Sequence, residues 1–258
     1  MSTSRRLTSE AKPASLDFYL GAANNDFTSI APFVKNGYAS AIPTSEATVA
    51  DNNLLIVYPA AAIASTVSSA STNDTAAGTG ARTVTITYLT TAYALVTETL
   101  SLAGQTGVAL TSTLLRCLNI EVATAGSGGV NAGIIYVGSG TVTTGVPAVV
   151  YGTIGAGDNK SQNATYTVPA GYTLFLDLIS GITAGTAGIA TVRLVSSVNA
   201  GPFKTQVKFK AGVNSGVVQL YFDKLLSFTE KTDIEVRALA STGTLDVGAT
   251  LVGFLVTN

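Results

Sequence analysis

The chain has 258 residues, enough for one large β domain or two small ones with a sizeable core. Charged side chains make up 11%, against about 25% in an ordinary soluble domain, and 14 basic against 15 acidic residues leave a net charge of −1. Histidine is absent, which removes the commonest general base and the commonest metal ligand, so no enzyme, catalytic residue, cofactor or metal site is expected.

Hydrophobic residues reach 47% and the mean hydropathy is +0.41, but they are scattered among Thr, Ser and Gly. The longest apolar run, LLIVYPAAAIA (54–64), contains Pro59 and falls well short of the about 20 residues that span a bilayer. The polar start, MSTSRRLTSEAKPAS, has no apolar stretch of the kind a signal peptide carries. A surface this poor in charge suits a subunit covered by neighbours better than a free monomer.

In chain order, Arg5, Arg6 and Lys12 sit among Ser and Thr and read as an N-terminal arm. Leu16–Leu20 and Ile30–Val34 offer short elements, separated by Asn- and Gly-rich turns. Residues 54–64 read as a buried strand broken at Pro59, and 65–80 (STVSSASTNDTAAGTG) as a surface linker. From Ala81 the strand signal strengthens. In RTVTITYL (82–89), Val84, Ile86 and Tyr88 point one way and Thr83, Thr85 and Thr87 the other. Further strands are expected at 95–102, 108–110, 117–122, 132–137, 146–154, 164–168, 173–179, 191–196, 203–210, 217–222, 233–238 and 250–256. Gly138-Ser139-Gly140 reads as a turn. Strands of this length between Gly, Pro and Asn turns specify an all-β, antiparallel β-sandwich or jelly roll with an extended N-terminal arm. The expected division is an anchoring arm over 1–79 and a sandwich body over 80–258.

Candidate sites are few. Gly155–Ser161 (GAGDNKS) puts Asn159, not Gly, before Lys160 and leads into a strand, so it lacks the glycine and helix of a phosphate loop. Asp51-Asn52, Asn73-Asp74 and Asp158-Asn159 lack the alternating spacing that gathers ligands on one calcium ion, and read as turns. Cys117, alone in an apolar stretch, reads as a small core residue. Lys204, Lys208 and Lys210 alternate with Val207 and Phe209, which places the three lysines and Gln206 on one strand face. Together with Arg5, Arg6 and Lys12 they are the candidate interaction residues. Too few charges gather in either place for nucleic acid to be the expected partner.

The stretches GARTVTITYL and VTETLSLAGQTGVALTS (80–112), AGSGGVNAGIIYVGSG (125–140), IGAGDNKSQNATYTVPAGYTLFL (154–176) and EKTDIEVRALAST (230–242) resemble β-sandwich virion structural proteins of tailed phages of marine and cyanobacterial hosts, with relatives in large algal viruses. The resemblance covers about residues 80–258. It implies a capsid cement, decoration or minor capsid protein, located in the virion after assembly in the host cytoplasm. The partners it implies are the major capsid protein and copies of the chain itself, a trimer being one closed arrangement, with no membrane involved. The alternative is a fibre, tail or spike component that binds a host glycan or receptor. Tyr136, Tyr151, Tyr166 and Tyr172, near Gly-rich turns, are the residues such a site would use.

Overall fold

The computed structural model describes residues 14–24, 26–51 and 55–258. A helix α1 (Ala14–Ala23) precedes β1 (Ile30–Ile42) and β2 (Ala47–Thr48). Then come β3 (Thr66–Ser69), β4 (Ala81–Leu89), β5 (Leu95–Ser101), β6 (Val108–Ala109), β7 (Arg116–Ala125), β8 (Ile135–Thr143) and β9 (Val146–Ile154). The chain finishes with β10 (Thr165–Thr167), β11 (Tyr172–Ala184), β12 (Ile189–Val198), β13 (Lys204–Gly212), β14 (Val218–Phe228), β15 (Thr232–Ala240) and β16 (Leu245–Thr257).

All the pairings are antiparallel, and they build two sandwiches. In the first, one sheet runs β1-β16-β11-β14; the other runs β10-β15-β12-β13, with β2 also beside β15. Counting β1, β2 and β11 to β16 as strands one to eight, the sheets read 1-8-3-6 and 2-7-4-5. That is the order of a jelly roll, in which paired strands fold over as two Greek keys. Its core includes Phe33, Leu174, Leu176, Ile179, Val192, Leu194, Ile234, Val236, Val247 and Leu251.

The second sandwich is an insertion between the second and third strands of the jelly roll. Its sheets are β6-β3-β8-β9 and β5-β4-β7, around Val67, Val84, Ile86, Tyr88, Ile120, Ile135, Val137 and Ile154. The alternation read in 82–89 is realised here: Val84, Ile86 and Tyr88 are buried. Their Thr neighbours form cross-strand hydroxyl pairs, Thr85 with Thr99 at 2.8 Å and Thr87 with Thr97 at 3.2 Å.

The structure divides the chain elsewhere than at residue 80. β1 is a full jelly-roll strand paired with β16 from Ile30↔Val256 to Ile42↔Leu245, so residues 30–48 belong to the body. Residues 66–69, expected in a linker, form a buried strand paired with β8. Small hydroxyl side chains can be buried where partners are near: Ser68 donates to the Gly145 carbonyl (2.8 Å) and Ser69 to Asp74 (2.6 Å). Residues 55–62 are not a strand; only Ile63 bridges to Leu114, and the segment joins the two sandwiches. The expected turn at Gly138–Gly140 lies inside β8, where Gly140 takes a positive φ of 81° at a register shift. Strands β11, β14 and β16 outrun their expected limits because interior Gly181, Asp223 and Gly248 look like strand ends in sequence.

The inserted sandwich is pinned by Asp74, whose side chain is wholly buried and accepts four bonds. The donors are Ala81 N (2.7 Å), Ala132 N (2.8 Å), Gly133 N (2.9 Å) and Ser69 Oγ. Gly80 lets the backbone approach this carboxylate: a Cβ there would stand 2.1 Å from Asp74 Oδ1. Gly80→Ala is therefore expected to cost about 2 to 3 kcal/mol in urea-induced unfolding, because a backbone shift must break bonds to a buried carboxylate.

Candidate functional site

The joint between the sandwiches is built around buried polar groups. Arg116, the first residue of β7 in the inserted sandwich, meets Asp233 on β15 of the jelly roll through Nε–Oδ1 (2.8 Å) and Nη2–Oδ2 (3.0 Å). Their side chains are only 3% and 2% exposed. Arg116 Nη1 donates to the Pro59 and Leu115 carbonyls, and Thr167 Oγ1 donates to Asp233 Oδ1 at 2.6 Å. The Tyr58 ring stacks 4.7 Å from the guanidinium. Burial opposes the guanidinium charge, but the bonds and charge of Asp233 outweigh it and hold the pKa above the ordinary value. A forked, always-charged side chain suits this site; the point charge of a lysine would not.

The network continues across the outer face of that jelly-roll sheet. Arg237 bonds Glu235 (2.7 Å), and Glu46 joins Arg237 (3.3 Å) to Arg193 (3.1 Å). Phe203 lies 4.2 Å below the Arg237 guanidinium. None of these residues was singled out in the sequence, although Asp233, Glu235 and Arg237 alternate along one strand; the register Lys208↔Arg193↔Arg237 brings Arg193 beside them.

The lysines of β13 lie on the open edge strand of the sheet and are exposed. They do not form one stripe. A register shift at Gln206 places Lys204 in the row of Ser196 and the core residue Ile234, whereas Lys208 and Lys210 pair with Arg193 and Thr191. Lysines on an open edge also discourage unplanned strand pairing. Arg5, Arg6 and Lys12 lie outside the described residues.

The four tyrosines do not converge. Tyr151 is buried with its hydroxyl on Ser139 (2.7 Å), Tyr166 packs edge-on against Phe33, Tyr172 rests on the jelly-roll core, and Tyr136 is half-buried on β8. Cys117 packs against the core of the inserted sandwich, under Gly152, and burial pushes its thiol up to about 12. Among the described residues no group of three or more His, Cys, Asp or Glu is arranged to hold a metal ion. No helix there is long and apolar enough to cross a membrane.

The outer face of the sheet β1-β16-β11-β14 has a different character. Helix α1 covers one end of it: Phe18 and Tyr19 pack on Phe254 with ring centroids 4.8 and 5.3 Å apart, and the Tyr19 hydroxyl donates to Asp177. Beside the helix, Val34, Val252, Leu178 and Tyr221 stand in register across all four strands. Val34 is 59% and Tyr221 66% exposed. The two ends of this apolar row are thus open to water, while Val252 and Leu178 between them are half-buried.

No family model and no curated protein sequence matches the chain. Among solved structures it is similar to that of the Gt strain of infectious bursal disease virus, at 11% identity and a TM-score of 0.24, over 89% of this chain and 73% of that one. For the Gx strain the values are 12%, 0.22, 89% and 75%. Likeness at this level establishes neither a shared fold nor a shared role.

Two outcomes test the joint. Removing one partner, as in Arg116→Met, leaves a buried unpaired charge and is expected to cost about 3 to 5 kcal/mol. The double change Arg116→Met with Asp233→Leu is expected to cost much less than the sum of the two single changes in urea unfolding. Asp51, at the entry to the joint, accepts N–H bonds from Gln162 (3.0 Å) and Gly155 (3.3 Å), yet burial pushes its carboxyl from 3.8 up to about 6. A raised folded value means that the stability it contributes is complete below pH 3.8 and is lost as pH rises through 6. Asp51→Asn is therefore expected to flatten the fall in stability between pH 4 and 7, with a gain of about 1 kcal/mol at pH 7.5 after solvent screening.

Proposed function

We propose that this chain is a structural subunit of a virus particle, a cement, decoration or minor capsid protein that acts through contacts with its own copies and with the major capsid protein. The observation that carries the reading is the apolar row Val34–Val252–Leu178–Tyr221 on the outer face of a jelly-roll sheet. It gives a charge-poor chain a specific surface to bury. The strand order 1-8-3-6 and 2-7-4-5 adds general support, because viral shells are among the assemblies built from jelly rolls. The mechanism is mechanical. Two sandwiches locked through a buried ion pair form a stiff unit, one face of which buries against a neighbour while the inserted sandwich adds a second surface for contact. Closed symmetry would repeat a single contact around the assembly. In this reading the chain takes its place in the virion after assembly in the host cytoplasm.

Val34→Glu combined with Tyr221→Glu tests the reading. Both side chains are exposed, so unfolding should be unchanged to within about 0.5 kcal/mol. The wild-type chain is expected to sediment as an oligomer and to be present on purified particles at a fixed ratio to the major capsid protein. The double variant is expected to sediment as a monomer and to be lost from particles. A wild-type chain that is monomeric and absent from particles sinks the proposal.

A further inference from the structure

A crevice of about 370 Å³ opens between the two sandwiches, at the scale of a small-molecule site. Its jelly-roll wall is β1, from Pro32 to Asn36; its other wall comes from Leu95, Leu118 and Asn119 of the inserted sandwich, and Lys160 to Gln162 close it. The aliphatic stem of Lys35 runs into the crevice, and its ammonium donates to the Leu118 carbonyl at 2.5 Å. An ammonium has three donors, and among the described residues Leu118 supplies its one acceptor, so two donors are left to meet something in the cavity.

Among the described residues the lining carries Lys35 and Lys160 and no carboxylate. Glu121, on β7, lies 3.7 Å from Lys160 outside the lining, and both are well exposed. Asp51 reaches the crevice only through the backbone N–H of Gln162 (3.0 Å), so among the described residues Glu121 pairs with Lys160 and Lys35 has no carboxylate partner. The other titratable neighbours are Cys117, whose thiol is held neutral by burial, and Tyr166, whose hydroxyl burial pushes far upward. Burial, helped by the neighbouring Lys160 charge, lowers the pKa of Lys35 to about 8. The amine is still mostly charged at pH 7, but at a cost that a bound anion would remove.

We infer that this crevice binds a small organic monoanion, a carboxylate whose charged end meets Lys35 and whose apolar body lies against Phe33, Leu95 and Tyr166. Phosphate fits less well. A dianion calls for a second strong donor set, and the lining offers no guanidinium fork and no helix N-terminus. Because Lys35 belongs to one sandwich and Leu118, Asn119 and Leu95 to the other, an occupant ties the two together. Ligand binding is thereby linked to the stability of the joint.

Benzoate is the probe, titrated into the full chain at fixed ionic strength, with neutral benzamide and inorganic phosphate as parallel arms. Benzoate at a hundredfold excess over its Kd is expected to raise Tm by about 5 °C, whereas benzamide and phosphate leave it unchanged. Lys35→Met is expected to abolish the benzoate shift, and Lys160→Gln to weaken the affinity severalfold. Should Lys35→Met fail to fold, the wild-type chain supplies the same test. Raising the pH from 7 to 9.5 leaves benzoate charged but neutralises Lys35, and is expected to weaken calorimetric binding about tenfold or more. Equal shifts from benzamide and benzoate, a benzoate shift that survives in folded Lys35→Met, or binding indifferent to that pH change would each overturn the inference.

Discussion

The ion pair between Arg116 and Asp233 is the constraint on which the rest of the molecule depends. Each sandwich has its own core, and the two cores share no strand. The most buried of the contacts that fix one against the other is a bidentate one between β7 and β15, sealed by Pro59, Tyr58 and Thr167 and joined by the bonds of Lys35 to Leu118 and of Gly155 to Asp51. In a low-dielectric setting such a pair is strong only when every remaining donor and acceptor is engaged. Here the guanidinium uses four bonds and stacks on a ring, and the carboxylate receives a hydroxyl as well. The connecting segment 55–62 therefore serves as a lid over a charge pair, which explains why an apolar, Pro-containing run is found there without forming a strand.

A rigid joint shapes both surfaces that bear on function. The jelly-roll sheet facing the joint turns its outer side to a polar network of Glu46, Glu235, Arg193 and Arg237, most of it screened from water. Among the described residues the opposite sheet is covered at one end by α1 and presents its apolar row to the outside. One face is thus committed to holding the molecule together, and the other is free to meet a neighbour. The crevice around Lys35 lies beside the joint, so whatever fills it acts on the same coupling between sandwiches.

Within each strand the sequence was highly legible. Period-two alternation placed β4, because a half-buried strand buries every second residue, and apolar segments between turn residues placed β5, β9, β12 and β15 close to their observed limits. Low-complexity composition misled at Thr66–Ser69, where small hydroxyls are buried through bonds to residues distant in the chain. Lys204 was misplaced because a one-residue bulge, invisible in the pattern of charges, offsets its row. The helix at Ala14–Ala23 left little periodic trace in the sequence; of its described side chains, Phe18 and Tyr19 pack on Phe254 and Ala22 is buried.

The sequence by itself determined that this is an antiparallel β protein with scarce charge, no histidine and lone Cys117 as a packing residue. These follow from local geometry and composition, which need no knowledge of partners across the fold. Only the tertiary structure decided that an entire sandwich is inserted between two jelly-roll strands, that residues 30–48 belong to the body, and that Arg116 meets Asp233 across 117 positions. The physical reason is that register and charge pairing are contacts between distant segments. A single arginine among leucines shows no sign of its partner until the sheets are stacked.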